Sequence, residues 1–175
     1  MIAAVVPNNK ISFQKKTISN FKSGSLITQF FILAGDNNEF EIPGCELIKT
    51  VKFLSSETLR KVSEKLKTEY LLFLIEDTLI EFNQFGFERL ITIAKPTGAG
   101  LLYSDFIEKN SGFKLHPLID YQAGSIRYDF NFGPLLFLKT EAIKKCLTSD
   151  FKFADVYDLR LNITIELLKF RPGKN

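Results

Sequence analysis

Residue types that often reveal a function are scarce or absent: the chain has two cysteines, one histidine and no tryptophan. Cys45 and Cys146 stand far apart, and neither has a Cys or His neighbour at the spacing of metal ligands. We therefore expect two buried free thiols in a reducing compartment, and no disulfide framework or zinc site. His116 precedes Pro117, and a structural or exposed histidine is the favoured interpretation, with metal ligation as the minor alternative.

Long hydrophobic runs and an excess of one charge are also missing. The N-terminus, MIAAVVPNNK, has a short apolar stretch without a basic region before it, and SLITQFFILAG is too short to cross a bilayer. The 23 Lys and Arg against 20 Asp and Glu leave a net charge of +3, and the 18 Phe are not interleaved with basic residues. We expect a soluble cytoplasmic chain that has no transmembrane segment and binds no nucleic acid.

The spacing of apolar residues predicts alternating strands and helices. Six short apolar runs are interpreted as strands, at 2–6, 26–34, 47–53, 69–75, 100–106 and 133–139. Four segments have helical spacing, at 11–22, 55–67, 80–95 and 140–147. The 175 residues are therefore expected to form one α/β domain, 1–175, with a Rossmann-like, mostly parallel sheet and helices on both faces.

Single residues refine these boundaries. Ser55 or Ser56 is expected to cap the second helix. In the third helix Phe85 is assigned to the buried face, and Pro96 is expected to end the helix. The segment 107–132 shows no helical period and is interpreted as an irregular functional loop.

Polar and turn-forming residues follow three of the predicted strands. They are Pro7, Asn8 and Asn9 after the first strand, Asp36, Asn37 and Asn38 after the second, and Glu76 and Asp77 after the fourth. In open α/β sheets, ligands bind outside the carboxyl ends of the strands, where loops and helix N-termini converge. These side chains are therefore predicted to gather at one edge, although Asn and Asp also favour turns for local reasons.

Several segments together resemble one enzyme family. EYLLFLIEDTLI is similar to the apolar strand and D-x-D motif of family 2 glycosyltransferases with the GT-A fold. The segments GAGLLYSDF, HPLIDYQAGSIRYDFNFGPLLFLKTEAI and ADVYDLRL are similar to later elements of a bacterial subgroup, so the match extends over nearly the whole chain. The resemblance implies inverting transfer of a sugar from a nucleotide-diphosphate sugar to a glycan or lipid-linked acceptor. It also implies a divalent metal, Mn or Mg, at the D-x-D motif.

The resemblance assigns roles at the donor side of the site. Asp77 holds the last acid of D-x-D and would bind the metal, Glu76 holds the middle position, and Ile75 replaces the first acid. Asp36 maps onto the nucleotide-binding Asp of the family, and the Pro-Asn-Asn turn after the first strand would contact the base. Loss of the first acid supports a second hypothesis, a catalytically inactive GT-A domain that binds a nucleotide, a glycan or a partner protein.

Further implied roles lie towards the C-terminus. Arg127 in GSIRYDF could hold the diphosphate through a bidentate contact, or else form an ion pair with Asp129 or Asp105. The position of the family's catalytic base falls on Val156, so Asp155 and Asp158 become the candidates, with Asp155 ranked first.

Chain length and the first turn bear on the alternatives. Because the chain ends soon after ADVYDLRL, it is interpreted as a minimal or a shortened member that lacks the C-terminal acceptor-site helices. A third hypothesis, metal-dependent nucleotidyl transfer, ranks last. Those enzymes usually have a glycine-rich loop after the first strand, and PNNKISFQKK contains no glycine.

Overall fold

The computed structural model describes residues 1–8, 11–35, 42–53, 55–75, 78–81, 84–109, 112–119, 131–148 and 173–174. The strands are β1 Ile2–Pro7, β2 Ile27–Ala34, β3 Glu46–Lys49, β4 Tyr70–Leu74, β5 Leu101–Tyr103, β6 Phe106–Lys109, β7 Phe113–His116, β8 Leu135–Lys139 and β9 Gly173–Lys174. The helices are α1 Ile11–Lys22, α2 Ser56–Lys65, α3 Gln84–Thr97 and α4 Thr140–Thr148. Within these residues, no helix is long and apolar enough to span a bilayer.

Seven of the strands form one sheet in the order β3-β2-β1-β4-β8-β5-β9. The pairs β1–β2, β1–β4 and β2–β3 are parallel, whereas β8 runs antiparallel to both β4 and β5. This arrangement confirms the predicted mostly parallel α/β sheet. Because β8 is reversed, its first residue, Leu135, pairs with Leu74 at the carboxyl end of β4. The start of β8 therefore lies at the edge where β1, β2, β4 and β5 end.

The sheet is covered by helices on both faces, as predicted. Side chains alternate along β1, so that Ala3 and Val5 face one apolar cluster while Ala4 and Val6 face the other. Helices α2 and α4 contribute to the first cluster, and α1 and α3 contribute to the second. This double coverage explains why all six positions of β1 are buried and why its sequence is continuously apolar.

The cap of α2 and the buried free thiol of Cys146 agree with the sequence-based expectations, whereas Cys45 is less buried than expected. Ser55 is the N-cap, because its side-chain oxygen accepts a hydrogen bond from the Thr58 amide at 3.3 Å. Cys45 and Cys146 are free thiols that belong to opposite faces of the sheet. Cys146 is buried, whereas Cys45 is half-buried. Burial raises the pKa of the Cys45 thiol, and the nearby Lys22 charge acts in the opposite direction.

Two details of α3 differ from the prediction. Pro96 lies inside the helix, which ends one residue later at Thr97, and Gly98 then takes a positive φ of 63°. A glycine in this conformation ends a helix readily, so Gly98 and not the proline marks the boundary. Phe85 is exposed; Phe87 occupies the buried face instead and contacts Phe21 edge to face, with ring centroids 5.7 Å apart.

Three predicted segments also change extent. The strand expected at 47–53 is limited to β3, and the one expected at 100–106 is divided into β5 and β6. The loop expected at 107–132 contains ordered structure, since β6 and β7 form an antiparallel hairpin with Phe106 opposite His116. Its strands are only four residues long, which is too short to give a clear alternating pattern in the sequence.

Candidate functional site

The candidate site is the carboxyl edge of the sheet, where five chain segments meet. Two backbone hydrogen bonds hold the residues here. The amide of Asn8, which follows β1, donates to the carbonyl of Leu33 in β2 at 2.8 Å. The amide of Ile75, which follows β4, donates to the carbonyl of Pro134, just before β8, at 2.9 Å. The segment after β5, beginning at Ser104, reaches the same edge because β5 is antiparallel to β8. The last residues of β1, β2, β4 and β5, together with the start of β8, therefore lie at this edge, where ligands bind in open α/β sheets.

Asn8 is the most informative polar residue at this edge. It is only 3% exposed and comes directly after β1, an interior strand of the sheet. The Nδ2 atom is buried and has no hydrogen-bond partner among the described residues. An unpaired buried amide costs about 1 to 3 kcal/mol, so such groups usually serve a purpose. A ligand with a hydrogen-bond acceptor would satisfy this donor.

Ile75 belongs to an apolar cluster of the core. It follows β4 and is only 9% exposed. Its side chain joins Leu71 and Phe73 in the cluster that α2 and α4 cover. The position that the family resemblance gives to the first acid of D-x-D is therefore a packing position in this chain.

The other side of the edge is organised by Tyr103 and Asp105, at and just beyond the end of β5. The Tyr103 hydroxyl donates to the Ile119 carbonyl at 2.9 Å, and its buried ring contacts Phe132 edge to face at 5.1 Å. The Asp105 carboxylate accepts a hydrogen bond from the Leu118 amide at 2.6 Å. These contacts fix residues 118 and 119 beside the start of β8.

Gly133, two residues before β8, lies close to Leu118 and to Phe106 at the start of the β6–β7 hairpin. It has a positive φ of 77°, and a Cβ atom added there would lie 3.2 Å from Leu118 Cδ1 and 3.5 Å from Phe106 Cδ1. Glycine is thus favoured for two reasons: the positive φ, and the tight contact that a Cβ atom would make with Leu118 Cδ1.

Replacing Gly133 with alanine is expected to lower the free energy of unfolding by about 1 to 2 kcal/mol. Gly98→Ala separates the two causes, because Gly98 also has a positive φ but no atom within 4 Å of the added Cβ. Gly112→Ala is the neutral control, since it has neither feature. In chemical denaturation, the loss of unfolding free energy should be largest for Gly133→Ala, smaller for Gly98→Ala and smallest for Gly112→Ala. Equal losses for Gly133→Ala and Gly112→Ala would contradict this account.

The single histidine is held within the hairpin. His116 Nε2 lies 3.0 Å from Glu108 Oε2, and the imidazole stacks on the Phe106 ring at 4.6 Å. In the part of the chain that the structure describes, no group of three or more His, Cys, Asp or Glu side chains could hold a metal ion. These contacts agree with the structural interpretation of His116.

A salt bridge ties the hairpin to the segment that follows β4. Lys109 Nζ lies 2.7 Å from Glu81 Oε2, and this hydrogen bond, together with the lysine charge, lowers the pKa of Glu81. The Ile80 amide donates to the Thr17 hydroxyl at 3.3 Å, which fixes the same segment against α1. The residues just beyond Glu76 and Asp77 are therefore anchored on both sides.

The predicted site residues fall into two groups. Pro7 and Asn8 are described, buried and located at the carboxyl edge. The others lie outside the described residues: Asn9, Asp36, Glu76, Asp77, Arg127, Asp155 and Asp158. The sequence places Asp36 next to Gly35 and Glu76 next to Ile75, and both of these neighbours stand at the ends of strands of the sheet.

Solved structures share this fold. The chain superposes on Staphylococcus aureus TarS 1–349 with a TM-score of 0.66 and 11% identity, covering 99% of this chain and 57% of TarS 1–349. It superposes on 2-C-methyl-D-erythritol 4-phosphate cytidylyltransferase from Thermus thermophilus with a TM-score of 0.57 and 9% identity, covering 99% and 86%. It also superposes on Rv0371C from Mycobacterium tuberculosis, in complex with manganese, with a TM-score of 0.57 and 8% identity. This match covers 99% of this chain and 86% of Rv0371C.

These similarities establish the fold and leave the activity open. No protein-family model and no curated protein sequence matches the chain. The chain spans little more than half of TarS 1–349. At identities of 8% to 11% the shared property is a GT-A-like α/β sheet.

Proposed function

We propose that this chain binds a nucleotide-diphosphate sugar at the carboxyl edge of the sheet and acts as a family 2 glycosyltransferase. The observation that carries the proposal is the buried side-chain amide of Asn8, whose Nδ2 has no hydrogen-bond partner among the described residues and which directly follows the interior strand β1. An amide N–H donor in a dry site suits a carbonyl oxygen of a nucleotide base, and it rejects ligands that leave it unpaired.

The sequence supplies the remaining groups for sugar transfer. Asp36 and the Pro-Asn-Asn turn would bind the nucleotide, Arg127 would hold the diphosphate, and Asp155 or Asp158 would accept the proton of the attacking hydroxyl. Attack on the anomeric carbon from the side opposite the diphosphate inverts its configuration. The acceptor would be a glycan or a lipid-linked acceptor.

The proposed metal site is incomplete in this chain. A divalent cation would stabilise the charge that develops on the leaving diphosphate. Ile75 packs into the apolar cluster, so it offers no ligand, and Asp77 with its neighbour Glu76 remains as the protein contribution. A cation could then be held by one carboxylate together with the donor phosphates, as Mg²⁺ often is.

Nucleotidyl transfer is the second candidate, because the superposed structures include a cytidylyltransferase. That chemistry usually needs a glycine-rich loop after the first strand to cradle a triphosphate. Here β1 ends at Pro7 and α1 begins at Ile11, so three positions, none of them glycine, connect the two elements. This short connection favours a diphosphate donor over a triphosphate.

A thermal-shift panel of UDP-, GDP-, CDP- and dTDP-sugars, each with and without manganese, tests the proposal. A ligand that binds the native state raises the melting temperature by mass action. We expect one base to give a clear upward shift that grows with manganese. CTP alone shifting the melting temperature would favour nucleotidyl transfer. A nucleotide sugar that binds but is never turned over would favour the inactive GT-A domain.

A further inference from the structure

The side chain of Tyr103 holds two separate segments of the chain at the carboxyl edge. Tyr103 is the last residue of β5 and is buried. Its hydroxyl donates to the carbonyl of Ile119, after β7, and its ring contacts the buried ring of Phe132, before β8. The first segment has a second tie to the same strand end, because the Leu118 amide donates to the Asp105 carboxylate. Tyr103 is therefore the point at which both segments are joined to β5.

The second segment connects Tyr103 to the strand that precedes the acidic pair. Phe132 is followed by Gly133 and Pro134, and the Pro134 carbonyl accepts a hydrogen bond from the Ile75 amide at 2.9 Å. Ile75 stands directly before the two predicted carboxylates in the sequence. The contacts of Tyr103 therefore support backbone that is itself bonded to the end of β4.

The strand order gives a direction along the edge. In the order β1-β4-β8-β5, Tyr103 lies three strands away from Asn8, and strand spacings of about 4.8 Å separate the two strand ends by about 14 Å. The proposed function places the nucleotide base at Asn8, after β1, and the diphosphate at Asp77, after β4. A donor that continues in this direction brings its sugar to the start of β8 and the end of β5.

We infer that Tyr103 is a positioning residue for the sugar of the nucleotide-diphosphate donor. The inference rests on the proposed function, which supplies the direction of the ligand. The hydroxyl and the ring hold residues 118–119 and 132–134 in place before the ligand arrives, and a wall that is already ordered lowers the cost of binding. Without the hydroxyl, the Ile119 carbonyl loses this donor, and its segment is held less firmly against β5. The loss falls on the part of the affinity that the sugar contributes.

Calorimetric titration of Tyr103→Phe with the UDP-, GDP-, CDP- and dTDP-sugars, and with the nucleotide diphosphate of each base, tests the inference. The substitution keeps the ring and removes only the hydroxyl. We expect the Kd of the nucleotide sugar that binds to rise about 5- to 10-fold, while the Kd of its nucleotide diphosphate stays unchanged. Tyr70→Phe is the matched control, because Tyr70 is also buried and its ring stacks on Phe137, but it begins β4 at the opposite end of the sheet. The control should leave both constants unchanged.

The comparison of the two ligands separates positioning from stability. At a temperature where every variant is fully folded, a purely structural role of the hydroxyl changes both dissociation constants together or neither of them. An unchanged Kd for the nucleotide sugar, or an equal loss for both ligands, would overturn the inference and leave the proposed function standing. Failure of the unchanged protein to bind any of the nucleotide sugars would remove the proposed function, and the inference with it.

Discussion

Replacing Ile75 with aspartate is expected to destabilise the protein by about 3 kcal/mol and to create no metal site. The family resemblance alone suggests the opposite, since this substitution restores the first acid of D-x-D. In the structure, however, Ile75 is buried beside Leu71 and Phe73 in the cluster under α2 and α4. Aspartate there would lose the packing of the isoleucine and bury a carboxylate among apolar groups.

Urea denaturation and a manganese titration of Ile75→Asp test this prediction together. Ile75→Val is the control, because it keeps the apolar character and should lose about 1 kcal/mol. We expect the aspartate variant to unfold at a markedly lower urea concentration, with no gain in manganese affinity. A stable Ile75→Asp protein that binds manganese more tightly would show that the side chain at this position can turn towards the site.

Replacing Asn8 with leucine is expected to lower the affinity for the nucleotide roughly 10- to 100-fold while preserving or raising the melting temperature. The two effects have one cause. Asn8 Nδ2 is buried without a partner among the described residues, so an apolar group of similar shape removes the penalty of an unpaired donor in the free protein. The same change removes the donor that the ligand would use.

Opposite changes in affinity and stability distinguish a binding role from a structural one. If Asn8 served the fold, the leucine variant would melt at a lower temperature. Asn20→Leu is the control, because Asn20 lies near the end of α1, away from the carboxyl edge, and nucleotide affinity should not change. Equal affinities for the Asn8→Leu and unchanged proteins would remove Asn8 from the site.

The arrangement of elements could be predicted from the sequence because each strand buried on both faces has a continuous apolar signature. Local signals also narrowed the N-cap of α2 to Ser55 or Ser56, and Ser55 is the cap. Reversal of β8 could not be predicted, because an apolar run such as LLFLK reads the same in a parallel or an antiparallel strand. The hairpin was missed because its strands are short and mix apolar with charged residues.

The sequence predicts where the strands end but not how the edge between them is built. Strand ends in the sequence correctly placed Asn8 directly after β1, and its role in binding stays a prediction. Tyr103, Asp105 and Gly133 were not recognised as residues that shape the edge, because their roles depend on contacts with residues 106, 118, 119 and 132, which are distant in sequence. The Gly-Pro pair in FNFGP is the one local sequence signal that indicates a turn at Gly133. The structure shows the positive φ of this glycine.

Calorimetric titration of the unchanged protein with UDP, GDP, CDP and dTDP, in the presence of manganese, tests the central claim most directly. The account predicts saturable binding of one of these nucleotides with a single site per chain. It also predicts that Asn8→Leu weakens this binding without lowering the melting temperature. The absence of binding by all four nucleotides would contradict the claim that the carboxyl edge is a nucleotide-diphosphate site.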